Sequence, residues 1–533
     1  MSEAAMMEMA QAISRNAMSG ASASAHARPG SAPFDGRSPS VGRRAPHAHR
    51  RATLSAAAIA VLLALSACAV GPTYTAPTST LDPAFVNAGA TATRSEAPGA
   101  DIASFWRSFN DPPLSQLVER ALAANGDIRV AQARLQEARA TLQGADAERM
   151  PNIGAVADAT RSLAPEVQFP GTSRSQRTGT VFDAGFTANW ELDFFGRNRR
   201  ASESAAAQVE ASQAGVHAAQ TAIAAEVARN YLELRGLQQR YEVARQSLGN
   251  QGDAVRLTEA RLDAGRGTRL DVARARSLLD STEATLPALQ AAIDRTAYRL
   301  ATLTAQPLRD VAADLAKPQP LPSLPVTDLA ALPIGMPSQL LQRRPDIVAA
   351  ERQLAAATAA IGVATADLFP RVSLTGLIGL ASGRLADLGR GNAQQYSLGA
   401  GLTWPLLDFG RVRSRIGASE ARAQQSLAVY EQTVLTALEE TEGALTLFTR
   451  TARQTERLAS AARHAEDAMR LARVRFDAGA VDFLVVIDAE RQALSSRDAL
   501  VQSQVSQATS LVSVYRALGG GWSAEPAPAT AMR

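Results

Sequence analysis

Few residues in this chain of 533 are of a type and spacing that could do chemistry. There is one cysteine, Cys68, so an intrachain disulfide is impossible and the thiol is either free or the acceptor of a covalent group. The five histidines, His26, His47, His49, His217 and His464, fall at no metal-ligand spacing. No G-x-S-x-G elbow, Walker loop or Rossmann glycine pattern occurs where a strand would feed a helix. Nothing points to catalysis, to a metal or to a dissociable cofactor.

The surroundings of Cys68 give its thiol a role. Arg43, Arg44, Arg50 and Arg51 precede an apolar run from Leu54 to Ala67. That run falls short of the roughly 20 residues needed to cross a bilayer core of about 30 Å. Its layout is that of an export signal: basic start, apolar middle, small residues at the cut. Leu65-Ser66-Ala67-Cys68 resembles a bacterial lipobox, which implies S-diacylglycerol and N-acyl groups on Cys68 as the mature N-terminus. Ala69 follows rather than Asp, which by the same resemblance favours the outer membrane. Residues 1–40 are polar and rich in Ala, Ser and Gly, a composition that does not support a packed core. They make the signal long, and translation is expected to start later, for example at Val41.

The rest of the chain is organised by a repeat. WELDFFGRNRR (Trp190–Arg200) and WPLLDFGRVRSR (Trp404–Arg415) each begin as an alternating apolar segment, pass Gly196 or Gly410, and become a long helical pattern. Trp190 and Trp404, Gly196 and Gly410, Arg197 and Arg411, and Gly265 and Gly479 are all 214 positions apart. One unit is written twice. Aromatics make up only 5% against 46% hydrophobic residues, which favours closely packed Ala-rich helices. The net charge of +4 comes almost wholly from Arg, Lys317 being the lone lysine, and the basic residues are interleaved with acids. That pattern argues against nucleic acid as a partner.

In order, residues 69–113 read as an extended segment lying on other elements, and Leu114 to Arg149 as two helices broken at Asn125-Gly126-Asp127. Candidate strands follow at Ile153–Leu163 and Thr180–Phe195. In the second, Val181, Asp183, Gly185, Thr187 and Asn189 alternate with Phe182, Ala184, Phe186, Ala188 and Trp190. Such alternation suits a membrane-barrel strand, apolar to lipid and polar to a lumen, but a half-buried soluble hairpin shows the same pattern and is the plainer reading of it taken alone. A helix from Arg197 to about Leu262 would span about 100 Å at 1.5 Å per residue. Its Val227, Leu234, Tyr241, Leu248, Val255 and Leu262 recur at heptad spacing, a coiled-coil seam. The chain then turns at Asp263–Thr268 and returns as one helix from Arg269 to Leu303. Residues 305–344 are dense in proline and read as a connector outside the core. The second copy places helices after Pro345, strands at Arg371–Leu380 and Gln394–Leu407, and a hairpin of Arg411–Phe476 and Phe483–Leu518. Asp127 and Pro151 match Asp346 and Pro370 at an offset of 219, so the first strand hairpin has five extra residues.

The expected organisation is thus a leader (1–67), an extended segment (68–113), a first repeat (114–304), the Pro-rich connector (305–344), a second repeat (345–518) and a tail (519–533). Four strands in a bilayer cannot close, and a bilayer tolerates only a closed barrel. The chain must pool strands with copies of itself. Two copies would supply eight strands and three would supply twelve, a choice that periodicity leaves open.

CAVGPTY, LLQRRPDIVAAERQL, ADLFPRVSL, LLDFGR, RFDAG, LVVIDAER and ALGGGW occur in this order from Cys68 to Trp522. Together they resemble the outer-membrane efflux protein (TolC-like) family, in particular its lipoprotein branch serving resistance-nodulation-division pumps (OprM-like, NodT-like). The resemblance implies a mainly α protein with a membrane β-barrel, a homotrimer with a twelve-stranded barrel, a periplasmic helical barrel and an equatorial band. It implies an outer-membrane exit duct of a drug efflux pump, with a periplasmic adaptor and an inner-membrane transporter as partners. It also implies a gate at the periplasmic tip, which falls here on Leu484, Asp488 and Arg491, three residues close on one helical face. Arg475 and Phe476, beside the turn at Gly479, match a basic-aromatic pair in which Tyr is common at the Phe position. In the first repeat, Leu270, Arg274 and Ser277 stand at the gate positions, so the acid belongs to the second hairpin alone. The alternatives are a duct for type I protein secretion and a non-conducting structural envelope lipoprotein. An exposed i,i+3 ion pair without further role is the plain reading of Asp488 and Arg491.

Overall fold

A computed structural model describes residues 69–78, 82, 84–86, 100–326 and 336–522. The leader, Cys68 with the acylation expected on it, most of the tail and residues 327–335 of the connector lie outside the described residues.

The repeat is visible element by element. In the first copy, α1 (Pro112–Ala124) and α2 (Gly126–Ala147) lead to β1 (Asn152–Leu163) and β2 (Thr178–Leu192). Then come α3 (Arg197–Asp263), α4 (Arg269–Glu283) and α5 (Leu286–Leu303). After α6 (Leu308–Leu315), the second copy runs α7 (Pro337–Arg343), α8 (Pro345–Ala366), β3 (Arg371–Ser382) and β4 (Gln394–Thr403), then α9 (Arg411–Asp477) and α10 (Phe483–Ala517). Helices α2 and α8 each have 22 residues, and α3 and α9 each have 67. At 1.5 Å per residue, each long helix is about 100 Å.

The heptad seam of α3 packs as expected. Val227 and Leu234 are fully buried, Val255 nearly so, and Tyr241, Leu248 and Leu262 are half-buried. Its counterpart on α9 uses hydroxyls where apolar side chains are missing: Thr451 meets Ser510 at 3.2 Å and Thr455 meets Ser503 at 2.7 Å across to α10.

The main core sits around the middle of the long helices. Tyr231, Leu232 and Leu234 of α3, Leu445 and Phe448 of α9, and Leu511 and Val514 of α10 converge there with Phe105, Phe109, Leu114 and Ile128. Burying one such side chain contributes about 1.5–3 kcal/mol. Three expectations are corrected here. The segment before α1 does not lie extended on other elements throughout: Phe105, Trp106 and Phe109 form a 3₁₀ turn inside the core, with Phe105 stacked 5.1 Å from Tyr515. The connector also enters the core, through Val311, Leu315 and Leu340. Arg235, only 1% exposed, binds it by donating to the Lys317 carbonyl (3.1 Å) with its guanidinium over Tyr231. Finally, the return helix of the first hairpin is two helices. Pro287, at the start of α5, has no N–H to continue the ladder. The second repeat has Val501 at that position, and α10 runs unbroken for 35 residues.

The strands form one antiparallel sheet in the order β1-β2-β3-β4. The strands facing the helices end earlier than expected: β2 at Leu192 and β4 at Thr403, the rest of each segment being a loop into the next helix.

Candidate functional site

The register of the sheet sorts its side chains by face, since directly opposed residues point the same way. Ala155, Phe186, Ile378 and Tyr396 lie in one row across the four strands, and Ile153, Ala188, Gly376 and Leu398 in the next. Asp158 and Asp183 oppose each other on the other face, where Ser373 faces Gly401 and Thr375 faces Gly399. One face is therefore apolar and the other polar. The apolar face is uncovered: Ile153, Phe186, Ile378, Tyr396, Leu398 and Leu402 are 61–86% exposed. A half-buried soluble hairpin would have put that face against a core. Gly185 opposes Gly379 in the middle strands, where a Cβ on either would come within 2.8 Å of the other's Cα.

At the foot of the sheet the two copies use the same joint. Trp190 Nε1 donates to the Arg149 carbonyl at 3.0 Å, and Trp404 Nε1 to the Leu368 carbonyl at 2.9 Å. Each thereby ties the end of its strand hairpin to the turn that opens it. Gly196 (φ 77°) and Gly410 (φ 86°) then start the long helices in the left-handed region, which glycine enters without a steric cost. An aspartate satisfies each helix start: Asp193 accepts from Asn198 N and Arg199 N, Asp408 from Gly410 N and Val412 N. The chain just after Cys68 is fastened to this joint. Val70 N donates to the Phe195 carbonyl (3.1 Å), and Arg200 donates to the carbonyls of Val70 and Gly71.

The opposite ends of the long helices also repeat. Gly265 (φ 69°) and Gly479 (φ 72°) close them. Arg266 N reaches back to the Arg261 carbonyl and Ala480 N to the Arg475 carbonyl, both at 2.8 Å. Thr268 caps α4 and Asp482, its counterpart, caps α10. A second small core lies here, from Val255, Ala275, Ala472, Phe476, Phe483, Val486 and Ile487. Phe476 packs 5.2 Å from Phe483 and carries the Arg261 guanidinium 4.0 Å above its ring, a cation–π contact. Arg475 points outward and is exposed.

Leu484, Asp488 and Arg491 come together on the exposed face of α10. They line a cleft of about 450 Å³ shared with Arg274, Ser277 and Ser281 of α4. The cleft therefore brings the two repeats' versions of the same positions face to face. Arg491 Nη2 donates to Asp488 Oδ1 at 3.1 Å, with both side chains more than half exposed. Gly196 and Gly410 sit at the other end of the long helices, far from this group in sequence.

One residue of this end was legible only in part. Glu490 lies between Asp488 and Arg491 but on the buried side of α10, in the stripe of Phe483, Val486, Ile487 and Ala493. It is 4% exposed and accepts from Arg473 Nε (3.0 Å) and Nη2 (2.5 Å). Burial outweighs the Arg473 charge and holds its carboxyl above the ordinary glutamate range. The signal was there: an acid at a core position of the helical period.

The comparisons agree with this geometry. The family model "Outer membrane efflux protein" matches residues 117–306 and 336–520. The pyoverdine export outer membrane protein OpmQ of Pseudomonas aeruginosa is 35% identical, over 81% of this chain and 90% of its own. Nodulation protein T of Rhizobium leguminosarum bv. trifolii is 32% identical, over 86% of this chain and 96% of its own. The solved structure of the outer-membrane channel OprN superposes with a TM-score of 0.79 at 41% identity, covering 85% of this chain and all of that one. With a sheet apolar on one exposed face, a duplicated long-helix hairpin and these matches over most of its length, the chain belongs to the outer membrane efflux protein family and is an outer-membrane channel component of an efflux pump.

Proposed function

We propose that the chain works as a homotrimeric, passive exit duct, with no chemistry of its own, anchored in the outer membrane by lipid on Cys68. The observation that carries this reading is the four-stranded sheet, with an exposed apolar face and, among the described residues, no strand paired to the outer edges of β1 and β4. In a bilayer those edges demand partners, and three copies supply the twelve strands of a barrel. The fastening of Ala69–Gly71 at the foot of the sheet supports acylation of the preceding Cys68, because it places the anchor's neighbours beside the membrane zone. A periplasmic adaptor and an inner-membrane transporter supply opening and energy. Small molecules are the cargo, in keeping with the pyoverdine export of the OpmQ relative.

The gate is assigned to Leu484, Asp488 and Arg491. Around a three-fold axis their side chains supply an apolar constriction and a charged ring. The shared cleft with Arg274 supports this assignment, since it keeps the three side chains clear of the small core behind them. In planar bilayers, Asp488→Ala, Arg491→Ala and the pair raise the closed-state conductance. Unchanged conductance in all three defeats the gate assignment.

A further inference from the structure

On the apolar face of the sheet, polarity returns only at the end away from the long helices. Thr178, Thr180, Ser382 and Gln394 lie there, and with them Arg161, the one charged side chain of that face among the described residues. From the Asn152–Asn189 pair, beside Trp190, to Arg161 is nine residues of β1, about 30 Å of strand. At a barrel tilt of about 35–45° this is roughly 21–25 Å of height, against an apolar band of about 25 Å. Arg161 therefore stands where hydrocarbon gives way to headgroups, the depth at which an arginine on a lipid-facing strand costs little.

Arg161 faces Thr180 on β2. The β2–β3 register runs to Phe182 opposite Ser382, and two further residues set Arg384 opposite Thr180. The backbone follows that continuation: Arg384 is extended (φ −137°, ψ 137°), and a Cβ on Gly383 would still meet the Thr180 carbonyl at 3.8 Å. The row is thus Arg161, Thr180, Arg384, the arginines two strand spacings or about 10 Å apart at the backbone. Both are exposed, and the acids of this end are engaged elsewhere. Glu166 lies 3.8 Å from Arg177 and Asp387 3.0 Å from Arg390, while Asp158 and Asp183 are on the other face. Leu380 stands in the second repeat where Arg161 stands in the first, so the row occurs once per chain.

We infer that Arg161, Thr180 and Arg384 clamp the phosphate of a membrane lipid at the rim of the sheet. A phosphate offers oxygens on several sides, so the two guanidiniums can each bind it bidentately while the Thr180 hydroxyl donates one bond more. The acyl chains of the lipid lie down the apolar face, which an inorganic anion would leave bare. The site is independent of the gate and of the cargo, and gives the far rim a ligand of its own.

Full-length protein in a neutral detergent tests it, with lipid A, a doubly phosphorylated glycolipid, and its dephosphorylated form as probes. Native mass spectrometry counts the lipid retained per chain. The parent should retain the phosphorylated form at least about fivefold more than the other, as charged hydrogen bonds to the phosphate require. Arg161→Gln with Arg384→Gln should lose that preference, and Thr180→Val should weaken it. Arg174→Gln, which alters an exposed arginine of the β1–β2 loop off this row, should leave it unchanged. Each preference is a ratio within one variant, so a lower yield of protein does not mimic a loss of binding. No preference in the parent, or an undiminished one in the double Gln variant, overturns the clamp. A loss with Arg174→Gln equal to that of the double variant overturns its assignment to this row, and an unchanged Thr180→Val overturns the part of the hydroxyl. Release of the lipid by an equal concentration of inorganic phosphate overturns the lipid as the ligand.

Discussion

Replacing Arg473 with Met isolates the energetics that hold the tip of the second hairpin. Glu490 has a side chain 3% exposed, and Arg473 supplies both of its charged hydrogen bonds. Removing the arginine leaves a buried carboxylate without a counter-charge, which costs about 3–5 kcal/mol. The exposed Asp488–Arg491 pair two residues away is worth about 0.2–0.5 kcal/mol by contrast. The carboxyl can escape by binding a proton, so the penalty must depend on pH. An acid whose folded pKa is raised binds protons more readily folded than unfolded, so its contribution to stability falls as pH rises through that raised value. Arg473→Met lifts the carboxyl further, and the loss should be large at pH 7.5 and shrink on acidification towards about 4.3, the ordinary glutamate value. Hydrogen exchange along the first turns of α10 reads this locally, without needing the whole assembly to unfold. Arg473→Met with Glu490→Met should regain most of the protection and lose the pH dependence. If Arg473→Met is protected like the parent at pH 7.5, or if its protection relative to the intrinsic exchange rate does not rise at lower pH, the reasoning is wrong.

Other outcomes follow from the geometry. His217 stacks 4.2 Å from Trp522, and burial holds its imidazole below the ordinary histidine range. Its contribution to stability is present above about pH 6.5 and falls as pH drops below that value. Protection around Trp522, relative to the intrinsic exchange rate, should fall on acidification, and His217→Phe should remove the effect. Gly196→Ala should destabilise more than Gly410→Ala: both incur a left-handed backbone cost of roughly 1–2 kcal/mol, but only Gly196 has a neighbour, Ala69 Cβ, at 2.7 Å. Paired thermal melts give the difference. Phe476→Ala removes a ring packed between Phe483 and Arg261, and should loosen the tip by about 3–5 kcal/mol, seen as faster proteolysis near Gly479. Cys68→Ala should abolish labelling by radioactive palmitate while leaving the fold intact.

The large elements were legible because the repeat wrote them twice. Gly196 and Gly410, Gly265 and Gly479 marked the ends of the 67-residue helices to within a residue or two. The alternation of Phe182–Trp190 declared a two-faced sheet but not its environment. The bare face seen at Tyr396 and Leu398 was needed for that, because periodicity records which side chains share a face and not what touches them. The core role of Phe105, Val311 and Leu315 stayed hidden because short, proline-flanked pieces have no period to read. Pro287 was in plain view, yet its single break was outweighed by the helical pattern on either side. At the tip, the resemblance supplied Leu484, Asp488 and Arg491. The sequence alone offered only an i,i+3 pair, and Glu490 passed unnoticed because its neighbours drew attention to the other side of the helix.

The shared cleft of α4 and α10 gives the tip an uneven rim. Each chain contributes one hairpin with Arg274 and one with Asp488 at matching heights. Three chains in a ring would present six hairpins in two alternating kinds, so a docking protein would meet two sorts of furrow, never six identical ones. Helical ends of an adaptor that grip every furrow must then bind in two distinct poses, or come from two copies that have ceased to be equivalent.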